Sequence, residues 1–153
     1  MATTRITKRI DAPPRRVYRA IIDPEAVQRW MVPDDMTSRV HSFDAREGGT
    51  FRISLTYDDP SVAGKTDGST DTLQGRFIKL IPDREIVQVV EFETDAPDVL
   101  GEMTITYSLA EDDQGATLLT GIHDNLPPGV SPEANELGWQ MSIDKLTQLV
   151  EVG

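Results

Sequence analysis

Residues 131–153 follow a different periodicity from the long stretch of chain that precedes them. Their large apolar side chains recur at steps of four, three and four, which is typical of one face of an amphipathic helix. These side chains are Trp139, Ile143, Leu146 and Val150. The preceding residues alternate with period two, as half-buried strands do. Because an antiparallel sheet followed by one long helix can close by wrapping that helix, the sequence predicts an α+β fold with room for a ligand between the two layers.

Turn and capping signals divide the rest of the chain into short elements. A first strand at residues 3–10 precedes two short helices, and the second helix begins at Asp23-Pro24-Glu25, where a capping carboxylate stands before proline. Residues 58–70 are rich in Asp, Gly, Ser and Thr and are predicted to form a long loop. The other strands are predicted at residues 39–43, 50–57, 73–81, 85–93, 103–109 and 116–123, and the long helix at residues 131–150. These elements give about six or seven antiparallel strands in a single domain of residues 1–153.

Composition excludes several classes of protein. With a formal net charge of −11, the surface repels phosphate groups, so we expect neither nucleic acid nor an anionic membrane as a partner. The chain has no cysteine and no zinc-binding histidine motif, so we expect no disulfide, no metal and no cofactor. The polar N-terminus does not resemble a signal peptide, and no apolar run approaches the roughly 20 residues that span a bilayer. A cytoplasmic location is therefore predicted.

Several local strings resemble one family over nearly the whole chain. They are Asp11-Ala12-Pro13 with Val17 and Tyr18, Asp23-Pro24-Glu25, Trp30, Gly48-Gly49, Gly75 with Pro82, Gly115 with His123, and Gly138-Trp139. In order and spacing they are similar to the START-like (SRPBCC) superfamily, and within it to the Hsp90-ATPase-activator-homologue type of domain. The resemblance implies a helix-grip fold, in which a curved antiparallel sheet wraps the long C-terminal helix and two short helices follow the first strand. It also implies a cavity that holds an apolar or amphipathic small molecule.

Large side chains on the inward faces of this fold are the candidates for the wall of the cavity. We predict that the ligand is contacted by Trp30, Phe51, Ile53, Tyr57, Phe77, Met103, Tyr107, Leu119, His123, Trp139 and Ile143. His123 is the predicted polar anchor, because strand alternation places it on the same face as Leu119 and Gly121. A glycine at position 121 would open space beside the imidazole. A lone histidine can hydrogen-bond a ligand but cannot make a standard zinc site.

Four other polar residues receive separate predictions. His41 lies in a short strand and is expected at the surface. Arg52 and Arg76 alternate with apolar residues and are expected to face solvent. The orientation of Gln88 stays open, because both faces of its strand carry apolar residues.

Three functions follow from these features. The leading one is the binding of a hydrophobic or amphipathic small molecule in an internal cavity. The second is an enzyme similar to cyclases or aromatases, in which His123 or a tyrosine moves a proton on a cavity-bound substrate. The third is a protein-interaction module that resembles the co-chaperone. A homodimer is an alternative to a monomer.

Overall fold

The computed structural model describes residues 2–151. Its elements, in chain order, are β1 (Ala2–Ile10), α1 (Pro14–Ile22), α2 (Pro24–Trp30), β2 (Met36–Phe43), β3 (Thr50–Tyr57), β4 (Thr70–Ile81), β5 (Glu85–Phe92), β6 (Met103–Glu111), β7 (Thr117–Leu126) and α3 (Pro132–Glu151). The ends of the predicted domain, residues 1, 152 and 153, lie outside the described residues. The predicted order of elements is confirmed.

All seven strands form one antiparallel sheet in the order β1-β7-β6-β5-β4-β3-β2. Strands β2 to β6 each pair with the next strand in the chain, whereas β1 pairs with β7 and forms the edge of the sheet opposite β2. The two short helices therefore lie in the connection that carries the chain from one edge of the sheet to the other. The α+β helix-grip fold predicted from the sequence is confirmed.

The two short helices are held together at their junction. Asp23 ends α1 and caps α2, where its carboxylate accepts a hydrogen bond from the Glu25 backbone N–H at 3.1 Å. The indole Nε1 of Trp30 donates to the carbonyl of Ala20 at 2.9 Å, and its ring is fully buried. A buried indole needs such a partner, so Trp30 fixes the end of α2 against α1.

Helix α3 packs its apolar stripe against the sheet and the short helices. Its first turn is capped by Ser131, whose hydroxyl accepts a hydrogen bond from the Ala134 N–H at 3.2 Å. Three members of the predicted stripe, Ile143, Leu146 and Val150, are buried. The fourth, Trp139, is only half-buried, which marks the N-terminal half of α3 as the less tightly packed part.

Some strands are longer than the sequence predicts. β4 begins at Thr70 instead of residue 73, because Asp71 and Thr72 continue the ladder with β3 and are buried. β7 continues to Leu126 instead of residue 123. Both extensions consist mainly of polar residues, so they lack the alternation of hydrophobic residues that is the main strand signal in a sequence.

Candidate ligand-binding cavity

A cavity of about 220 Å³ lies beneath the N-terminal half of α3. Its floor is formed by strands β3 to β7, and its rim by the connection from α2 to β2 and by the loop before β4. Most of the surrounding side chains are apolar. The apolar side chains are Met31, Pro33, Met36, Phe51, Leu55, Tyr57, Leu73, Val90, Phe92, Met103, Ile105, Tyr107, Val130, Ala134 and Trp139.

Six of the predicted ligand contacts line this cavity. They are Phe51, Tyr57, Met103, Tyr107, His123 and Trp139. The other five predicted contacts are buried but are not among the lining residues. They are Trp30, Ile53, Phe77, Leu119 and Ile143.

Those five side chains instead fill the closely packed part of the core. The Phe77 ring lies 5.4 Å from that of Phe43 and 5.3 Å from that of Phe51, centroid to centroid. The rings of Trp30 and Tyr107 are nearly perpendicular, with their centroids 6.4 Å apart. Strand alternation identifies the inward face correctly, but it does not tell how far along that face the packing gives way to a cavity.

Sequence reasoning missed four polar or small residues, one capping α3 and three within the helix, that border the cavity. They are Ser131, Asn135, Gly138 and Ser142. Their spacing of four, three and four repeats the spacing of the apolar stripe, so helical periodicity could have identified them. Small side chains at these positions leave the space that larger side chains fill nearer the C-terminus of α3.

His123 is largely buried at the wall of the cavity. Its side chain is 9% exposed, and its ring meets the indole of Trp139 edge to face at 5.4 Å. Nδ1 lies 3.1 Å from Nδ2 of Asn135, whereas Nε2 is buried and has no hydrogen-bond partner among residues 2–151. Burial lowers the pKa of His123 to about 4, and the nearby Asp124 acts in the opposite direction. The imidazole is therefore neutral at neutral pH.

The space that the sequence predicts beside His123 is not empty. A Cβ atom added to Gly121 would lie 2.7 Å from Cζ2 of Trp139 and 3.2 Å from Cγ1 of Ile6. The glycine thus admits the indole of Trp139, and the expectation that it opens cavity space directly is wrong. The ring centroids of Trp139 and Tyr107 are 6.1 Å apart, so the indole connects α3 to β6 at the wall of the cavity.

Tyr107 adds a second polar atom to an otherwise apolar wall. The residue is 1% exposed, and burial raises the pKa of its phenol, with the neighbouring Trp139 acting in the opposite direction. The hydroxyl therefore stays protonated at neutral pH.

Another polar group lies on the loop side of the cavity. Nζ of Lys65 lies 3.1 Å from Oδ2 of Asp71 and 5.5 Å from the centre of the Phe92 ring. The Asp71 carboxylate also accepts a hydrogen bond from the backbone N–H of Lys65. Asp71 is on β4, and His123 is three strands away on β7. The cavity therefore has separated polar regions with an apolar surface between them.

The predictions for three surface residues are confirmed. His41 is exposed, with Nε2 2.8 Å from the Ser54 hydroxyl. Arg52 and Arg76 are exposed and pair with Glu93 and Glu102 respectively.

Gln88, whose orientation the sequence left open, is 4% exposed. Its Oε1 has no hydrogen-bond partner among residues 2–151, and the side chain does not line the cavity. Within the described part of the chain, no group of three or more His, Cys, Asp and Glu side chains could hold a metal ion. None of the three helices there has both the length and the hydropathy to cross a membrane.

Solved structures with the same fold cover almost the whole chain. The crystal structure of protein CV1439 from Chromobacterium violaceum is 34% identical, with a TM-score of 0.86, and the match covers 97% of this chain and 96% of that one. A solution structure of a protein from Arthrobacter aurescens is 20% identical, with a TM-score of 0.81, over 99% of this chain and 87% of that one. DynU16, a protein of the dynemicin biosynthetic locus, is 18% identical, with a TM-score of 0.68. That match covers 97% of this chain and 47% of DynU16.

The curated proteins contain no match to this chain. A family model, described as "Activator of Hsp90 ATPase homolog 1-like protein", matches residues 11–151. The match begins just after β1 and ends with α3, so it includes nearly every element that forms the cavity. The chain belongs to the family of Activator of Hsp90 ATPase homolog 1-like proteins.

Proposed function

We propose that this protein binds one small apolar or amphipathic molecule in the cavity beneath α3. The observation that carries the proposal is the presence of an unpaired, buried polar atom, His123 Nε2, on a residue that lines an otherwise apolar cavity. Buried polar atoms are nearly always hydrogen-bonded, so an unpaired one at a cavity wall is a candidate for ligand contact. Mostly apolar walls with a few polar groups are also the usual composition of small-molecule sites.

The volume of the cavity limits the size of the ligand. An engineered apolar cavity of about 150 Å³ accommodates benzene. By simple scaling, 220 Å³ accommodates roughly nine non-hydrogen atoms, which is a single aromatic ring with a short substituent. We therefore propose a compact ring compound rather than a long-chain lipid.

The side chains at the wall favour an aromatic compound. Five aromatic residues line the cavity, and they can meet a ligand ring edge to face or offset-stacked. Three methionines, Met31, Met36 and Met103, line it as well. Their unbranched thioether side chains adapt to ligands of different shape.

Binding is proposed ahead of catalysis because of the charge state of the cavity groups. His123 is neutral, Tyr107 is protonated, and Lys65 and Asp71 are paired with each other. A hydrogen-bonding role needs only these states, whereas general-base catalysis works best with a pKa near the working pH, and an imidazole whose pKa is lowered to about 4 is a weak base. The cyclase-like or aromatase-like enzyme, the co-chaperone-like module and the homodimer stay predictions.

Filling the cavity from α3 tests the proposal. The Gly138→Leu variant adds a side chain whose Cβ meets only Pro33, at 3.5 Å, so the rest of the leucine can occupy the cavity. Gln140→Leu adds the same side chain to an exposed position of the same helix and serves as the control.

The measurement is isothermal titration calorimetry with acetophenone, a ring compound of the proposed size. We expect one molecule per chain, with a dissociation constant on the order of 0.1 mM. Gly138→Leu should weaken binding at least about tenfold, whereas Gln140→Leu should bind like the wild type. Failure of acetophenone and other single-ring compounds to bind the folded wild-type protein would contradict the proposal, as would equal binding to both leucine variants.

A further inference from the structure

The side-chain amide of Asn135 lies between two partners at the wall of the cavity. Its Nδ2 is 2.9 Å from Oγ1 of Thr4 and 3.1 Å from Nδ1 of His123. An amide nitrogen carries two protons and accepts no hydrogen bond, so it donates one proton to each partner. Nδ1 of His123 is therefore the acceptor in this contact and carries no proton.

This contact decides where the imidazole holds its single proton. A neutral imidazole has one N–H, and with Nδ1 as the acceptor the proton is on Nε2. Nε2 is the atom that lacks a partner among residues 2–151. His123 thus offers a ligand an N–H donor rather than a lone pair.

The position of the amide is fixed by both layers of the fold. Thr4 on β1 is directly opposite His123 on β7, and its side chain is 5% exposed. Asn135 reaches both from the first turns of α3. Because the amide bonds to two neighbouring strands at once, it links the orientation of α3 to the proton position on His123.

We infer that Asn135 fixes the tautomer of His123 and thereby restricts the ligand to molecules that carry a hydrogen-bond acceptor, such as a ketone oxygen, at this end of the cavity. The inference rests on the proposed binding function and names the ligand chemistry. Asn135 is a positioning residue in this arrangement, because it acts on the ligand through His123. A compound that presents only a donor group to Nε2 is selected against, since two donors face each other.

The tautomer itself is observable without any ligand. Long-range ¹H–¹⁵N spectra of the wild type at about pH 9, where histidine is neutral, should show a protonated Nε2 and an unprotonated Nδ1. In Asn135→Asp the carboxylate has no proton to donate and accepts one from the ring, so the proton should move to Nδ1. Gln140→Glu adds the same charge at an exposed position of α3 and should keep the wild-type tautomer. If the Asn135 amide were rotated so that its oxygen faced the ring, Nδ1 would carry the proton. A proton on Nδ1 in the wild type therefore overturns the inference.

The ligand preference is measured with two compounds of matched shape. Acetophenone has a ketone oxygen where α-methylstyrene has a methylene group, so the ratio of their dissociation constants isolates the acceptor. At about pH 9, the dissociation constant of acetophenone divided by that of α-methylstyrene should be about fivefold higher in Asn135→Asp than in the wild type. In Gln140→Glu this ratio should equal the wild-type ratio. An unchanged ratio in Asn135→Asp overturns the inference but leaves the proposed function intact. If neither compound binds the wild type, the proposed function fails, and the tautomer spectrum still decides the inference.

Discussion

At the scale of single residues, His123 combines burial with an incomplete set of hydrogen bonds. Nδ1 is paired with Asn135, whereas Nε2 is buried and is unpaired within residues 2–151. An unpaired buried donor lowers stability in the absence of a partner. Residues kept in such positions are candidates for ligand contact rather than for core packing alone.

The burial of His123 predicts a pH dependence of stability. In the unfolded chain the imidazole has its ordinary pKa of 6.5, and in the folded protein the pKa is lowered to about 4. Between these values the unfolded chain binds one more proton, so the stability is present above pH 6.5 and is lost as the pH falls towards 4. The total loss should be about 3 kcal/mol.

Chemical denaturation of the wild type and of His123→Gln from neutral to acidic pH measures this contribution. Subtracting the two curves cancels the titration of the carboxylates that both proteins share. The wild type should lose more stability than the variant across this range. Parallel curves would show that the folded protein does not keep His123 neutral.

Gly121, packed against Trp139, and Gly138, on α3 at the cavity, should respond oppositely to the same substitution. Gly121→Ala places a methyl group 2.7 Å from Trp139, so the indole must move and stability should fall by about 1–3 kcal/mol. Gly138→Ala meets nothing closer than 3.5 Å and lies inside α3, so it should raise stability by about 0.5–1 kcal/mol. Urea midpoints of the two variants test the pair. Similar effects of both substitutions would contradict the close packing of Trp139 on Gly121.

At the scale of elements, the loop between β3 and β4 is joined to the sheet through Asp71. Asp71 is the second residue of β4 and is 4% exposed, and its carboxylate accepts hydrogen bonds from both the backbone N–H and the side-chain Nζ of Lys65. Residues 58–69 otherwise consist mainly of turns and bends with exposed side chains. Thr66 also hydrogen-bonds Thr70 and Thr72 of β4, so the Lys65–Asp71 pair is one of several contacts that hold the loop over the cavity.

Asp71→Asn removes the charge that holds Lys65 and should lower stability by about 1.5–3 kcal/mol, the range for hydrogen bonds to charged groups. Backbone amides of residues 58–69 should also exchange with deuterium faster than in the wild type.

Glu102→Gln is the matched control, because it breaks an ion pair with Arg76 in which both side chains are about half exposed. Such pairs contribute about 0–1 kcal/mol. Equal exchange in Asp71→Asn and Glu102→Gln would show that the Lys65–Asp71 pair does not contribute to holding the loop.

At the scale of the whole molecule, the fold is more predictable from sequence than the site. The change from period two to the helical stripe of Trp139, Ile143 and Leu146 predicts both layers and their order. Turn residues place the hairpins, because Gly and Asp have local conformational preferences. The position of the cavity depends on where packing is incomplete, which is a property of side chains distant in sequence. Asn135 is an example, since it hydrogen-bonds Thr4, which is 131 residues away in the chain, as well as His123.

The most direct test of the cavity as a binding site uses methionine methyl groups as internal reporters. Met31, Met36 and Met103 line the cavity, whereas Met141 on α3 does not. In a protein labelled with ¹³C at the methionine methyls, NMR titration with acetophenone should shift the three cavity signals along one binding curve. The ring current of a bound aromatic compound causes the shifts, and the Met141 signal should stay in place. Unchanged signals from Met31, Met36 and Met103 at saturating acetophenone, or an equal shift of Met141, would contradict binding in this cavity.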